Sequence, residues 1–321
     1  MRLLVIDSNA LLHRSFHALP PLTTKEGEQT GAIYGFLLTL FRAIKDIQPD
    51  FIVATFDTAA PTFRHEKFKE YKAKRKKAAE EFYQQIPKTK EVLSALSIPI
   101  FEKEGFEADD LIATISKKAP KSQIYPEIET YILTGDFDTL QLVDKNTKVY
   151  TLGKGIKETI IYNKEKVGER FKIEPWQMVD FKALAGDPSD NIPGATGIGK
   201  KIAAELLKKY KGLENLYKII EETPSSFFLK SSRYSQRLRN ILVQQKEQIF
   251  FSRVLVKARE DAPIDFHIKD CKFGDFNKQK LEEVFKRLEF FSLIKKIPEI
   301  TKESDIQNKK HIVDNNDGKL F

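Results

Sequence analysis

The chain has 321 residues, 41% hydrophobic and 31% charged, and its 54 Lys and Arg against 46 Asp and Glu leave a formal net charge of +8. That apolar content excludes wholesale disorder, the single Cys271 excludes an internal disulfide or a thiolate metal cage, and the longest apolar runs are far too short for a bilayer. Asp7 cuts the first apolar run after four residues, which argues against secretion; a reducing, cytoplasmic setting and a polyanionic partner are expected.

In chain order, the first half alternates strand and helix signals. Arg2–Asp7 reads as a buried strand. Gln29–Ile47 reads as a helix whose apolar stripe is Ile33, Phe36, Leu37, Leu40, Phe41 and Ile44. Phe51–Phe56 is a second strand ending at Asp57, followed by a basic helical stretch and a helix near Lys88–Leu96. Ile98–Phe101 is a short strand, Glu107–Ser116 a helix opening on acidic residues, and Thr130–Thr134 a strand ending at Gly135-Asp136. Such alternation predicts an α/β fold with a mostly parallel sheet flanked by helices. After Tyr162 helical patterns dominate: Lys164–Phe171, Pro175–Leu184, Lys200–Tyr210, Leu213–Glu221, Ser235–Phe250 and Lys278–Leu293, with a short strand expected near Ser252–Val256. The expected organisation is an α/β domain over 1–163, a helical region over 164–298 and a polar tail over 299–321.

Three aspartates directly follow buried strands: Asp7, Asp57 and Asp136. In an open parallel sheet, ligands bind at the carboxyl ends of the strands, so these three should converge. Glu107, Asp109 and Asp110 open a helix, Asp138 shares the loop of Asp136, and Asp187 and Asp190 follow in Gly186-Asp-Pro-Ser-Asp190. Each alone reads most simply as a helix cap or a solvated charge. Together they would repel by roughly 4 kcal/mol per pair about 4 Å apart at an effective dielectric near 20. Cations would have to compensate, and a donor set of hard oxygens without His or Cys favours Mg²⁺ or Mn²⁺. Two such ions suit phosphodiester hydrolysis.

Residues 64–77 carry eight basic and two acidic residues, interleaved with Phe68 and Tyr71. A charge run is ordinarily a solvated helix face, but aromatics among cations suit single-stranded nucleic acid. Gly194–Lys201 has the spacing of a nucleotide-binding P-loop, yet Lys201 stands where Ser or Thr should hold Mg²⁺ and no apolar strand precedes it. It is better read as a turn between two helices. The residues alone leave open whether that turn grips a phosphate through its N–H groups or is purely structural.

These segments resemble the 5′-nuclease (flap endonuclease) family, most closely its branch of N-terminal 5′→3′ exonuclease domains of bacterial DNA polymerase I. The resemblance rests on Val5–Asp7 through Arg14–Pro21, Phe56–Asp57 through Pro61–Glu66, Tyr71–Arg75, Glu107–Asp110, Thr134–Asp138, Gly186–Gly194 and Gly197–Lys200, in that order, and covers residues 2–296. It implies a PIN-like fold with a helical DNA-binding region, a helix-hairpin-helix turn within 175–210 and a helical arch over 64–90. One metal would lie around Asp7, Asp57, Glu107 and Asp109, with Asp136 near and Asp110 at the family's acidic pair. A second would lie around Asp138, Asp187 and Asp190. The resemblance makes Arg64 and Lys72 the cations that meet the scissile phosphate. Arg14 would meet a nearby phosphate, and Tyr71 and Arg75 would lie on the DNA path. His13, where relatives commonly carry Tyr, would stack a base. Gly197, Gly199, Lys200 and Lys201 would grip duplex backbone, with K⁺ at the turn.

The implied activity is a Mg²⁺-dependent, structure-selective 5′→3′ exonuclease and flap endonuclease, with two ions per site and Mn²⁺ as a substitute. Its partners would be DNA with 5′ flaps or 5′ ends and RNA primer–DNA junctions, met in replication and repair. A monomer is expected, with no membrane association and with a DNA polymerase, covalent or separate, as partner. A catalytically weak DNA-binding scaffold and a PIN-type ribonuclease are the rival readings. Whether the chain stands alone or forms part of a longer polymerase is open at this point.

Overall fold

The computed structural model describes residues 1–122, 124–125, 127–153, 158–222 and 235–297. The 299–321 tail expected from sequence lies outside these. Among the described residues one six-stranded sheet is formed, from β1 (Arg2–Asp7), β2 (Phe51–Thr55), β3 (Ile100–Phe101), β4 (Glu129–Leu133), β5 (Thr147–Leu152) and β6 (Thr159–Tyr162). Their order is β3-β2-β1-β4-β5-β6, and all pairs are parallel except β5 with β6. From β1 the chain first builds outward through β2 and β3, then returns to the other side of β1 with β4. The crevice beyond the carboxyl ends of β1 and β4 is therefore a topological switch point.

Alternation along β1 feeds two cores. Leu3 and Val5 point to one face, where they meet Phe51, Val53, Ile112, Ile115 and Ile132. Leu4 and Ile6 point to the other, against Ile33, Phe36, Leu37, Ile52 and Leu133. Burial on both faces is why β1 reads as an unbroken apolar run. The first core continues into the helical half through Met178, Phe181, Ala203 and Leu206. The second is closed by the helix Lys278–Arg287, whose Leu281 and Phe285 return to the sheet.

Several local expectations are corrected. The helix Ser8–Ala18, capped by Asp7, and strands β5 and β6 carry no clear sequence signal. Ser235–Phe250 is two helices, Ser235–Gln244 and Lys246–Val256, so the strand expected near Ser252–Val256 is helix. Packing against Met178–Ala185 overrides the local β preference of Val254 and Val256. The stretch expected as a helical arch over 64–90 is not a continuous helix: Phe63–Lys67, Glu80–Tyr83 and Gln85–Ala95 are helical, and 68–77 runs largely through turns. No described helix is long and apolar enough to cross a membrane.

Candidate active site

Each strand-end aspartate is placed by its strand. Asp7 is the last residue of β1. Its Oδ1 accepts from the Ala10 N–H at 3.1 Å, capping the following helix, and its Oδ2 accepts from the Thr134 hydroxyl at 2.6 Å. Asp57 follows β2, and its Oδ1 accepts from the Ala108 N–H at 2.8 Å, which ties it to the start of the helix Ala108–Lys118. Asp136 follows β4, and its Oδ1 accepts from the Asp138 N–H at 3.0 Å, which shapes that loop. Because β2, β1 and β4 are neighbours, the three carboxylates share one sheet edge.

The other acids gather on them. Asp109 lies within the field of Asp7, Asp136 and Asp138. The polar lining of one crevice includes Arg64, Tyr71, Glu107, Asp109, Asp138 and Asp190. The buried Tyr71 hydroxyl reaches Glu107 Oε2 at 2.9 Å and Asp190 Oδ2 at 3.1 Å. Lys182 Nζ joins Asp138 to Asp187. The chain thus brings together Asp7, Asp57, Glu107, Asp109, Asp136, Asp138, Asp187 and Asp190, from both of its halves.

These residues do not form a finished ligand cage. Among the described residues no group of three or more His, Cys, Asp or Glu is set to hold a metal ion. The reason is visible in their partners. Lys72 Nζ lies 2.8 Å from Glu107 Oε1, Arg75 holds Asp190, and Lys182 holds Asp138 and Asp187. In contrast, Asp7, Asp57, Asp109 and Asp136 make no ion pair among the described residues. Burial, opposed by the bonds from Thr134 and Ala10 and reinforced by Asp57 and Asp136, lifts the Asp7 carboxyl to about 7. Burial and then Asp7, Asp136 and Asp138 hold Asp109 well above its ordinary value. Asp138 also rises to about 7, through burial and Asp136 against the pull of Lys182. Burial would raise Glu107 too, but Lys72 and Arg64 outweigh it and its pKa falls. Excess negative charge in an all-oxygen donor set is the environment that a divalent cation relieves, so the residues fit such an ion.

A pH dependence follows. A carboxyl with a folded pKa near 7 and an unfolded value near 3.8 binds more protons when folded between those limits. The protein without divalent ions should therefore lose stability as pH rises from about 4 towards 7. Saturating Mg²⁺ should flatten that slope. Urea midpoints against pH, in chelator and in Mg²⁺, would show it; a rising midpoint in chelator would contradict the repulsion.

Three of the expected residues are engaged by other partners in the free protein. Asp110 is fully buried. Its Oδ2 accepts from Arg64 Nη1 at 2.8 Å and the Glu107 N–H at 3.1 Å, and its Oδ1 from Arg64 Nη2 and the Arg259 N–H, both at 2.8 Å. Each of its oxygens thus accepts two hydrogen bonds in the free protein. Arg64, only 2% exposed, also donates to the carbonyls of Leu255 at 2.8 Å and Lys257 at 3.0 Å, and Nη1 lies 3.3 Å from Glu107. Its guanidinium is thus engaged on all sides in the free protein, while it lines the crevice. Tyr71 is buried, and Phe68 packs edge-on against Phe251 at 5.7 Å.

Other expected residues do face solvent. Arg75 is exposed beside Asp190, and Lys72, at φ 55°, is anchored by its N–H on the Asp190 carbonyl at 2.9 Å. His13 is exposed and meets His17 and Phe82 edge-on, at 4.6 and 5.7 Å. Arg14 Nη2 donates to the Gly153 carbonyl at 2.6 Å. Gly197, at φ +96°, and Gly199, which caps the helix Lys200–Tyr210, form the turn with Lys200 and Lys201 exposed. At its base Gly194 packs against the backbone of Gly186, where an added Cβ would lie 2.2 Å from the nitrogen, and the segment joins the helix Met178–Ala185 to the helix Lys200–Tyr210, with no strand before it as a P-loop would have. Gln245, unforeseen from sequence, pins the turn by pairing its amide with Thr196 N–H and carbonyl at 2.7 and 3.1 Å. Lys182 was also missed, although a lone lysine inside Met178-Val-Asp-Phe-Lys-Ala-Leu-Ala185 was a usable signal.

The comparisons agree with this architecture. Residues 2–172 match the family model of the 5′-3′ exonuclease N-terminal resolvase-like domain, and residues 173–279 that of the 5′-3′ exonuclease C-terminal SAM fold. The chain is 36% identical to DNA polymerase I of Caldicellulosiruptor bescii over 98% of itself and 36% of that protein. It is 36% identical to a 5′-3′ exonuclease of Aquifex aeolicus over 94% of itself and 97% of that protein. With DNA polymerase I of Bacillus subtilis it shares 36% identity and covers 33% of the relative, so it spans about a third of the polymerases it matches. The fold recurs in the zinc-bound T5 5′-exonuclease, at a TM-score of 0.63 and 21% identity over 90% of this chain and 98% of that one. It recurs also in the catalytic core of Rad2 in complex with DNA substrate, at 0.57 and 17% over 93% and 90%. With the two family models matching residues 2–279 between them, and relatives 36% identical along nearly all of its length, the chain belongs to the 5′-3′ exonuclease family.

Proposed function

We propose that this chain is a Mg²⁺-dependent, structure-selective 5′→3′ exonuclease and flap endonuclease that hydrolyses DNA phosphodiesters. The observation that carries this reading is the sheet order. It sets Asp7, Asp57 and Asp136 on three neighbouring strands at a switch point, with Asp109 and Asp138 beside them and too little positive charge to balance the set.

Asp7, Asp57, Glu107, Asp109 and Asp136 would hold one divalent ion, and Asp138, Asp187 and Asp190 a second. Bound there, the ions would supply an activated water and neutralise charge on the departing oxygen. The chain's own residues do the rest. Lys72 and Arg75 pair with Glu107 and Asp190 in the free protein and offer two cations at the site's open side for an incoming phosphate. Tyr71 keeps its proton, since burial and then Glu107 and Asp190 raise its pKa, and so it fixes the spacing of those two carboxylates. Arg64 orients Glu107 through Asp110. The Gly197–Lys201 turn would hold duplex backbone, so that junction shape, not base sequence, selects the substrate. The same chemistry suits RNA primer removal and flap trimming beside a DNA polymerase.

A 5′-flap duplex incubated with the protein should be cut near the junction in Mg²⁺ and left intact in chelator. Binding without cleavage in both conditions would favour the scaffold reading. Faster cutting of an RNA flap of the same sequence would favour the ribonuclease.

A further inference from the structure

The two halves of the acidic patch are balanced differently. Asp7, Asp57, Asp109 and Asp136 make no ion pair among the described residues. Asp138 and Asp187 share an internal ammonium. Lys182 projects from the helix Met178–Ala185, flanked by the buried Phe181, Ala183 and Leu184, and its side chain is 15% exposed. Its Nζ pairs with Asp138 from the loop after β4, and lies 2.7 Å from Asp187 Oδ2 in the turn that ends its own helix. It therefore stands between two of the three carboxylates assigned above to the second ion.

We propose that Lys182 is the resident counter-cation of the second metal position, and that a divalent ion entering there must displace its ammonium from Asp138 and Asp187. The inference rests on the metal-dependent reading above. An ammonium and a divalent ion cannot share the same carboxylate oxygens at contact distance without strong repulsion. The exchange makes the second position the weaker of the two and orders loading, with the first position filled first: there, among the described residues, only Glu107 is ion-paired, and Asp7, Asp57, Asp109 and Asp136 are not. It also keeps Asp138 and Asp187 apart and oriented while no metal is bound, so Lys182 is a positioning residue and not a catalytic one.

The test is Mn²⁺ binding to the full chain without DNA, followed by calorimetry and by the electron paramagnetic resonance of free Mn²⁺. Wild type should bind in a tight and a weaker step. Lys182→Met keeps the length of the stem and removes the charge, and it should tighten the weaker step by roughly tenfold while leaving the tight step in place. Lys182→Arg, which retains the charge, should behave as wild type. An independent measurement needs no variant: amine-directed labelling of Lys182 in wild type, read by mass spectrometry, should rise when Mn²⁺ saturates the protein. An unchanged or weakened second step in Lys182→Met overturns the proposal, as does labelling that Mn²⁺ does not alter. Absence of any Mn²⁺ binding by wild type would overturn the metal-dependent reading itself and this inference with it.

Discussion

Asp7→Asn should lower flap cleavage by roughly 10²–10³-fold, the scale on which removing one pre-set electrostatic group acts, and should do so without unfolding the protein. Asp7 is the central member of the strand-end trio, with β2 and β4 on either side of its strand. Its carboxylate is crowded by Asp57 and Asp136 and acts in turn on Asp109. Asparagine keeps the oxygen that caps the Ala10 N–H, so the helix start survives. It also removes a buried charge from a repelling cluster, so in chelator at neutral pH the variant should melt at or above the wild-type temperature. Flap cleavage and a thermal melt on the same preparation separate the two effects. Wild-type cleavage by a folded Asp7→Asn protein would remove the carboxylate cluster from the mechanism.

Arg64→Met carries the other large expectation, and it concerns stability. The Arg64–Asp110 pair is sealed from solvent and bonds the start of one helix in the first half to the backbone of residues 255–259. Removing one partner of such a pair leaves an uncompensated buried charge, a loss of about 3–5 kcal/mol. The carbonyls of Leu255 and Lys257 would also lose their donor. The double variant Arg64→Met/Asp110→Leu should recover part of that loss, because neither charge then remains buried. Urea midpoints for the two singles and the double would show it. A double variant no more stable than Arg64→Met would mean that the pair is not the clamp described. A stable Arg64→Met protein defective only in turnover would return Arg64 to the phosphate.

The outcome for residues 64–77 explains where sequence reading stops. Charge density and spacing singled out the segment, and Lys72 and Arg75 pair with Glu107 and Asp190. That pattern could not tell which side chains face outward. Arg64 and Arg75 look alike in sequence, but one is covered by residues 255–259 and the other is left open. Tyr71 and Phe68 suggested stacking platforms, yet one became a hydrogen-bond donor between two acids and the other part of a small core with Phe251. The same limit hid Gln245 and Lys182, whose importance comes from partners on other elements.

The missed elements have a different cause. β5 alternates Thr147, Lys148, Val149, Tyr150 and Thr151, so polar residues interrupt the apolar run that marked β1 and β2. β6 lies at the sheet's edge and is partly exposed, which weakens its pattern. The helix Ser8–Ala18 carries His13, Arg14 and His17 on its open side and shows only a broken stripe.

By itself the sequence determined the parallel sheet, the helical second half, and the chemistry offered at the strand ends: oxygen donors, in excess, at positions where ligands bind. These are short-range properties, set by periodicity and by residue type. Only the tertiary structure decided which acid would be neutralised by a cation and which left bare, because that depends on which distant segment covers each side chain. A charge's pKa, its partners and its access to solvent are set by what lies within a few ångströms in space, and neighbours along the chain supply only part of that surrounding.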